Sequence, residues 1–311
     1  MSLAPYVQIV ARGKGRGRSM SFAEAVDAMA IILNGEAEPE ALGAVLMVMR
    51  LREETAEEIS GFTVGLRNHV KNILPKADLD WPSYAAGRTR GSPLFILAAR
   101  LVSQAGYSVS MHGWNSHQQA SASVRGALKW AAPTVRYSAI EDLCPEAFAL
   151  LKLRDTFGLR SCINTVLRMW NPSRAPASVQ GVFHPSYRGL QAEAAQIIDE
   201  NDLVVIKGGG GEFERNPAKR VAIYGWMAGQ FLDQSAPALT PEKRMLHDVN
   251  QPIDLGAVWH GKNQDPLAEA SVTGTAAIAL WSLNAASTLS DAQSMAEALW
   301  HRRHNPESLS V

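Results

Sequence analysis

Cysteine is nearly absent from this 311-residue chain. Its two thiols, Cys144 and Cys162, stand in no spacing that forms a metal pattern with their neighbours. Such scarcity fits a reducing compartment and two buried apolar fillers. Long apolar runs are missing too. The best candidate, residues 273–286, is rich in small residues and falls short of the roughly 18 uncharged residues of a membrane helix. No membrane span is expected. The opening residues have no apolar stretch before a small-residue cleavage site, so no secretory signal is read and the expected location is cytoplasmic. There is also no nucleophile elbow, no defensible Ser-His-Asp order and no internal repeat. Catalytic residues are left unassigned.

Net charge is absent as well, with thirty bases against thirty acids, and 46% of residues are hydrophobic. That composition is globular, with one large domain or two unequal ones. Local charge is uneven. Residues 81–140 hold six bases, Arg88, Arg90, Arg100, Arg125, Lys129 and Arg136, and no acid. At the chain's average frequency, sixty residues should carry about six acids. The window reads either as a buried segment poor in all charge or as a surface for a polyanion. The Arg-Gly-Lys-Gly-Arg-Gly-Arg segment adds Arg12, Lys14, Arg16 and Arg18. Its glycines disfavour a helix, so it reads as a flexible cationic arm or as a solvated tail. Tyr84, His112, Trp114 and Trp130 interleave aromatics with the bases, the pairing that single-stranded nucleic acid asks of a protein.

Periodicity divides the chain. Ser21 with Glu24 and Thr55 with Glu58 are capping boxes, each followed by an apolar stripe, while Asn34-Gly35 ends the first helix and Pro39 opens the one between. Residues 1–75 therefore form a small helical domain. Beyond Pro75, helices alternate with short apolar runs at 109–111, 179–183, 203–207 and 221–224, the pattern of a mostly parallel sheet with crossover helices. The fold class is α/β, with residues 76–311 as the larger domain. Helices are expected at 187–200, at 273–286 and, capped by Ser290, at 291–303, with a long surface connection at 233–266.

Two places could hold an anion or metal. The glycines at 208–211 follow a strand, so their N–H groups could curl around an oxyanion, and Glu212 and Glu214 could hold Mg²⁺. A plain turn with solvated acids is the alternative. His112-Gly113 closes another strand, where His112 would meet a phosphate or simply occupy a loop; His117 makes no metal pair with it.

Several segments in this order resemble the anthranilate phosphoribosyltransferase family, a glycosyltransferase group related to nucleoside phosphorylases. They are Ser21-Phe-Ala-Glu-Ala, Leu33-Asn-Gly-Glu, Gly43-Ala-Val-Leu-Met and Glu57-Glu-Ile-Ser-Gly61. Further on come Phe157-Gly-Leu-Arg160-Ser-Cys-Ile-Asn164 and the closing Asn171-Pro172, with Pro145 fifteen residues before Arg160. The resemblance covers most of the chain. It implies a small helical domain, completed by part of 160–190, a larger α/β domain, a cleft between them and a homodimer through the helical domain. It also implies a cleft residue at Arg160.

The family's signatures are altered here. Its Gly-Thr-Gly-Gly-Asp loop falls on Ala86-Gly87-Arg88-Thr89-Arg90-Gly91, and its Lys-His-Gly-Asn on Met111-His112-Gly113-Trp114. Its magnesium-binding Asp-Glu pair falls on Phe213-Glu214, and the histidine of its His-Pro on Cys144. These departures put anthranilate transfer in doubt. A divergent subgroup shares the Trp81-Pro82-Ser83-Tyr84-Ala85-Ala86-Gly87 start and the Met111-His112-Gly113 ending, and is associated with nucleic-acid binding by a dimer.

The expectation is therefore a homodimer that binds nucleic acid, preferably single-stranded, through phosphate contacts. The contacting residues would be Arg12, Lys14, Arg16, Arg18, Arg88, Arg90, His112, Gly113, Arg125 and Lys129. The alternative is a glycosyl or phosphoribosyl transferase acting on another acceptor, with His112, Arg160, Gly208, Gly209 and Glu214 in the cleft and Mg²⁺ on Glu214. A third reading is a phosphate-binding remnant used as an interaction scaffold.

Overall fold

The computed structural model describes residues 2–13, 15–70, 74–84, 91–114, 124–242 and 252–304. Four helices come first: α1 (Ala4–Ala11), α2 (Phe22–Leu33), α3 (Pro39–Arg52) and α4 (Ala56–His69). Both capping boxes are formed, with Ser21 and Thr55 accepting from the N3 amides while Glu24 and Glu58 reach back to the caps. Such reciprocal bonds satisfy amide groups that a helix start leaves orphaned. Gly61 and Gly65 lie one turn apart on α4. A methyl at Gly61 would fall 2.5 Å from the Phe22 carbonyl oxygen, and one at Gly65 2.7 Å from Met29 Cβ. The two glycines let α2 and α4 approach closely, which offsets the roughly 1 kcal/mol that a mid-helix glycine costs.

The remaining chain continues through β1 (Leu79–Ser83), α5 (Phe95–Gln104), β2 (Val109–Gly113), α6 (Val124–Ala127), β3 (Val135–Ala139), α7 (Ile140–Leu143), α8 (Pro145–Phe157) and α9 (Ile163–Arg168). It ends with β4 (Ala177–Val182), α10 (Tyr187–Ile197), β5 (Asp202–Lys207), β6 (Val221–Met227), β7 (Gln230–Ala236), α11 (Leu255–Trp259), α12 (Pro266–Ser282) and α13 (Leu289–His301). The strands form one sheet in the order β3-β2-β1-β4-β5-β6-β7, parallel through β5 and antiparallel at β6 and β7.

Alternation along β5 assigns its faces: Val204 and Ile206 join the cluster built on α5, α12 and α13, while Leu203 and Val205 join the cluster of the N-terminal helices, α8 and α9. The chain runs outward from β1 to β3 and then returns to place β4 beside β1. Ligands of open α/β sheets bind at such a reversal, at the carboxyl ends of the strands. Here the β1–β4 ladder stops at Asp80 opposite Ser178. Pro82, with no N–H to donate, lies just beyond, so the two strands part on that side.

Several boundaries differ from the sequence reading. The helix expected at 273–286 starts earlier, at Pro266, because the Asp265 side chain accepts from Ala268 N at 3.0 Å. The last helix is capped by Thr288 rather than Ser290. Part of the expected surface connection at 233–266 is β7 and α11. The supposed flexible arm is preceded by a helix and folded back: Arg18 N donates to the Ile9 carbonyl at 3.0 Å, and the Arg52 guanidinium donates to the carbonyls of Val10 and Arg18 at 2.9 and 2.7 Å. Lys14, Arg88, Arg90 and His117 lie outside the described residues. Among the described residues, no helix is long and apolar enough to cross a membrane.

Candidate functional site: an arginine-lined cleft at the sheet's carboxyl edge

A cleft opens where the helical layer meets the end of β4. Arg50 enters it from the last turn of α3. Arg160 and Ser161 come from the turn before α9, and Asn164, Thr165 and Arg168 from α9 itself. Val182, Phe183 and His184 close the strand side, and Tyr187 and Gln191 of α10 form the opposite wall. The left-handed Gly158 (φ 67°) ends α8 and turns the chain toward Arg160.

The electrostatics of the cleft are strongly positive. Burial pulls the Arg160 guanidinium down to about 10, and Arg154, Arg168 and Arg50 push the same way, while Glu212 opposes them. It stays charged at neutral pH. Burial also lowers Arg168, with Glu212 again opposing. Arg168 is only 5% exposed. Its Nη1 donates to the Asn164 carbonyl at 3.2 Å, whereas Nη2 has no hydrogen-bond partner among the described residues. Nearby, Tyr187 donates to Glu54 Oε2 at 3.0 Å, and burial raises both groups. A buried cationic donor left unpaired costs more than an ordinary hydrogen bond returns, so an anion in the cleft would relieve it.

Among the described residues, the other expected ones lie elsewhere or are already committed. His112 does not face a phosphate. It is wholly buried within β2, with Nδ1 2.8 Å from the Tyr84 hydroxyl, Nε2 3.2 Å from Asp80 Oδ1 but off the line of a hydrogen bond, and Trp170 edge-on to its ring. Gly113 is needed for packing, since a Cβ there would fall 1.7 Å from the Ser83 carbonyl oxygen. Tyr84 and Trp114 are also buried, so neither offers a face to a base.

The glycine run is closed on itself. Gly208 N donates to the Val182 carbonyl, Gly209 N to that of Glu214, and Gly211 N to that of Gly208, which leaves no open cradle at Gly208 and Gly209. Glu214 is buried and accepts from Phe95 N at 2.9 Å, fixing the start of α5. Among the described residues, the one cluster of three potential metal ligands is His69, Cys144 and Glu146. One oxygen of Glu214 is engaged at the start of α5.

Among the described residues of the acid-free window, three of the four bases are spent. Arg100 donates to the Trp130 carbonyl at 2.7 Å and lies 4.1 Å from the Trp259 ring centroid, Arg125 pairs with Glu141, and Arg136 donates to the Lys76 carbonyl. Lys129 is exposed, 5.4 Å from the Trp130 ring. In the N-terminal loop, Arg18 is bound to both oxygens of Glu24 at 2.6 Å, while Arg12 and Arg16 are exposed. Sequence reasoning missed Arg50, Arg168, Tyr187 and Gln191. Only Arg168 left a trace, as the lone charge in the apolar run 162–170.

A helical layer on a mostly parallel sheet, with a cleft at the strand reversal, is the architecture of the phosphoribosyltransferase fold related to nucleoside phosphorylases. Residues 9–70 match the glycosyl transferase family, helical bundle domain. The chain superposes on the anthranilate phosphoribosyltransferase of Thermus thermophilus with a TM-score of 0.77 and 17% identity, covering 99% of this chain and 97% of that one. It is 27% identical over 315 residues to the anthranilate phosphoribosyltransferase of Thermomicrobium roseum, across 94% of this chain and 90% of that protein. It is 28% identical over 212 residues to that of Methanococcoides burtonii, an alignment spanning 62% of this chain and 60% of the relative.

Proposed function

We propose that the chain is a phosphoribosyl transferase-type enzyme whose acceptor is a small organic acid held in the arginine-lined cleft. The observation that carries this reading is the convergence of Arg50, Arg160 and Arg168 there, with a buried Arg168 N–H left unpaired. Similarity to the anthranilate phosphoribosyltransferases supplies the reaction type. In such a site Arg160 and Arg168 would grip the acid group with charge-assisted bonds, and the narrow cleft would orient the ring so that its nucleophilic atom points toward the strand reversal.

The test is an assay for release of pyrophosphate from phosphoribosyl pyrophosphate and Mg²⁺ with a panel of aromatic and heterocyclic acids, anthranilate included. Turnover with one member supports the reading. Calorimetry showing binding of neither the acids nor phosphoribosyl pyrophosphate rejects it.

A second reading, nucleic-acid binding by a homodimer joined through the helical layer, keeps support from exposed Arg12 and Arg16. It predicts single-strand affinity that falls steeply with salt. Binding that ignores salt rejects it.

A further inference from the structure

Resting on the acceptor reading of this cleft, we infer that the acid it takes also carries a lactam edge, a ring N–H beside a ring C=O, read by Gln191. Gln191 lines the same cleft as Arg160 and Arg168 and is fully buried. Neither its Oε1 nor its Nε2 has a hydrogen-bond partner among the described residues. The buried positions around it on α10 are Ala192, Ala194 and Ala195, which offer no polar side chain.

Buried amides in native proteins are almost always satisfied, so an amide with both ends open beside a cationic pocket marks a place where a ligand completes the bonding. The residue type sets the chemistry. An amide donates from nitrogen and accepts at oxygen side by side in one plane, and its complement is a group that accepts and donates in that same plane. A second carboxylate would satisfy Nε2 but set its own oxygens against Oε1. An aromatic amine would donate to Oε1 and leave Nε2 open. A lactam edge satisfies both, while the acid group of the same molecule meets the Arg168 Nη2 that lacks a partner. The fitting class is a pyridone or oxopyrimidine carboxylate.

Two probes isolate the edge. Nicotinate and 6-hydroxynicotinate, the latter in its pyridone form, share ring and acid and differ by the lactam alone. In calorimetric titrations of the full chain, the wild type should bind 6-hydroxynicotinate about tenfold more tightly than nicotinate. Gln191→Met should erase that preference. Equal affinities in the wild type, or a preference that survives in Gln191→Met, would overturn the inference. The wild-type comparison decides by itself if the variant does not fold. Failure of both acids to bind overturns the inference and the acceptor reading together. A wild-type preference without transfer from phosphoribosyl pyrophosphate upholds the lactam edge and rejects the transferase reading.

Discussion

Two groups of arginines behave oppositely in this molecule. Arg100, Arg125 and Arg136 are neighbours in an acid-free stretch of sequence, yet each is spent locally, on a carbonyl and an indole face, on Glu141, or on the Lys76 carbonyl. Arg50, Arg160 and Arg168 are scattered along the chain and come together around one cleft, where they repel each other. What a ligand meets is charge that folding has left unanswered. The first group holds structure together, and the second stores unfavourable energy that an anion can release.

The contrast extends to acids, and there the largest effect is expected. Glu214 is buried and fastens the start of α5 through Phe95 N. Glu214→Ala should lower unfolding stability by about 3 kcal/mol, measured by urea denaturation, because it strands a buried donor as well as removing a charged acceptor. A Glu214→Ala protein of wild-type stability that had lost only Mg²⁺ affinity would move this residue into the metal-handling class.

Next comes a pair of substitutions with opposite signs. Arg168→Met should raise stability by about 1–3 kcal/mol while weakening binding of organic acids, since it replaces an incompletely paired buried charge with apolar volume. Arg100→Met should lower stability by about 1 kcal/mol and leave acid binding unchanged, as it loses the Trp130 carbonyl and the stack on Trp259. Two changes of the same sign would remove the distinction between the groups.

Much of the helical layer was legible because its signals are local. The capping boxes at Ser21 and Thr55 and the proline at the start of α3 lie within one turn of what they specify. The sheet was half legible. β1 carries Asp80 and Pro82 within five residues, and its strand character comes from burial between β2 and β4 rather than from an apolar run. β7 is mostly exposed and alternates without a clear apolar face. The cleft was nearly invisible. Arg160 could be named through a resemblance, but Gln191 looks like any helix surface residue until folding buries it in the wall of the cleft.

The smallest effect belongs to the loop that reads as an arm in sequence. Arg18 holds the Glu24 carboxyl down to about 2. A carboxyl lowered on folding contributes stability above its ordinary value of 4.5, and that contribution fades as pH falls from there to about 2. Exposure keeps it small. Glu24→Gln should therefore lower stability slightly at neutral pH, flatten the profile between those values, and match the wild type most closely at the acid end. An unchanged acid limb in that variant would mean that Arg18 is as loose as Arg12 and Arg16.

The most direct measurement titrates the wild type and Arg160→Ala with the same organic acid, 6-hydroxynicotinate, by calorimetry at neutral pH. Arg160→Ala should bind about 30-fold more weakly, the loss expected for one charge-assisted contact. Equal binding by the two proteins would place the acid somewhere other than this cleft and contradict the account.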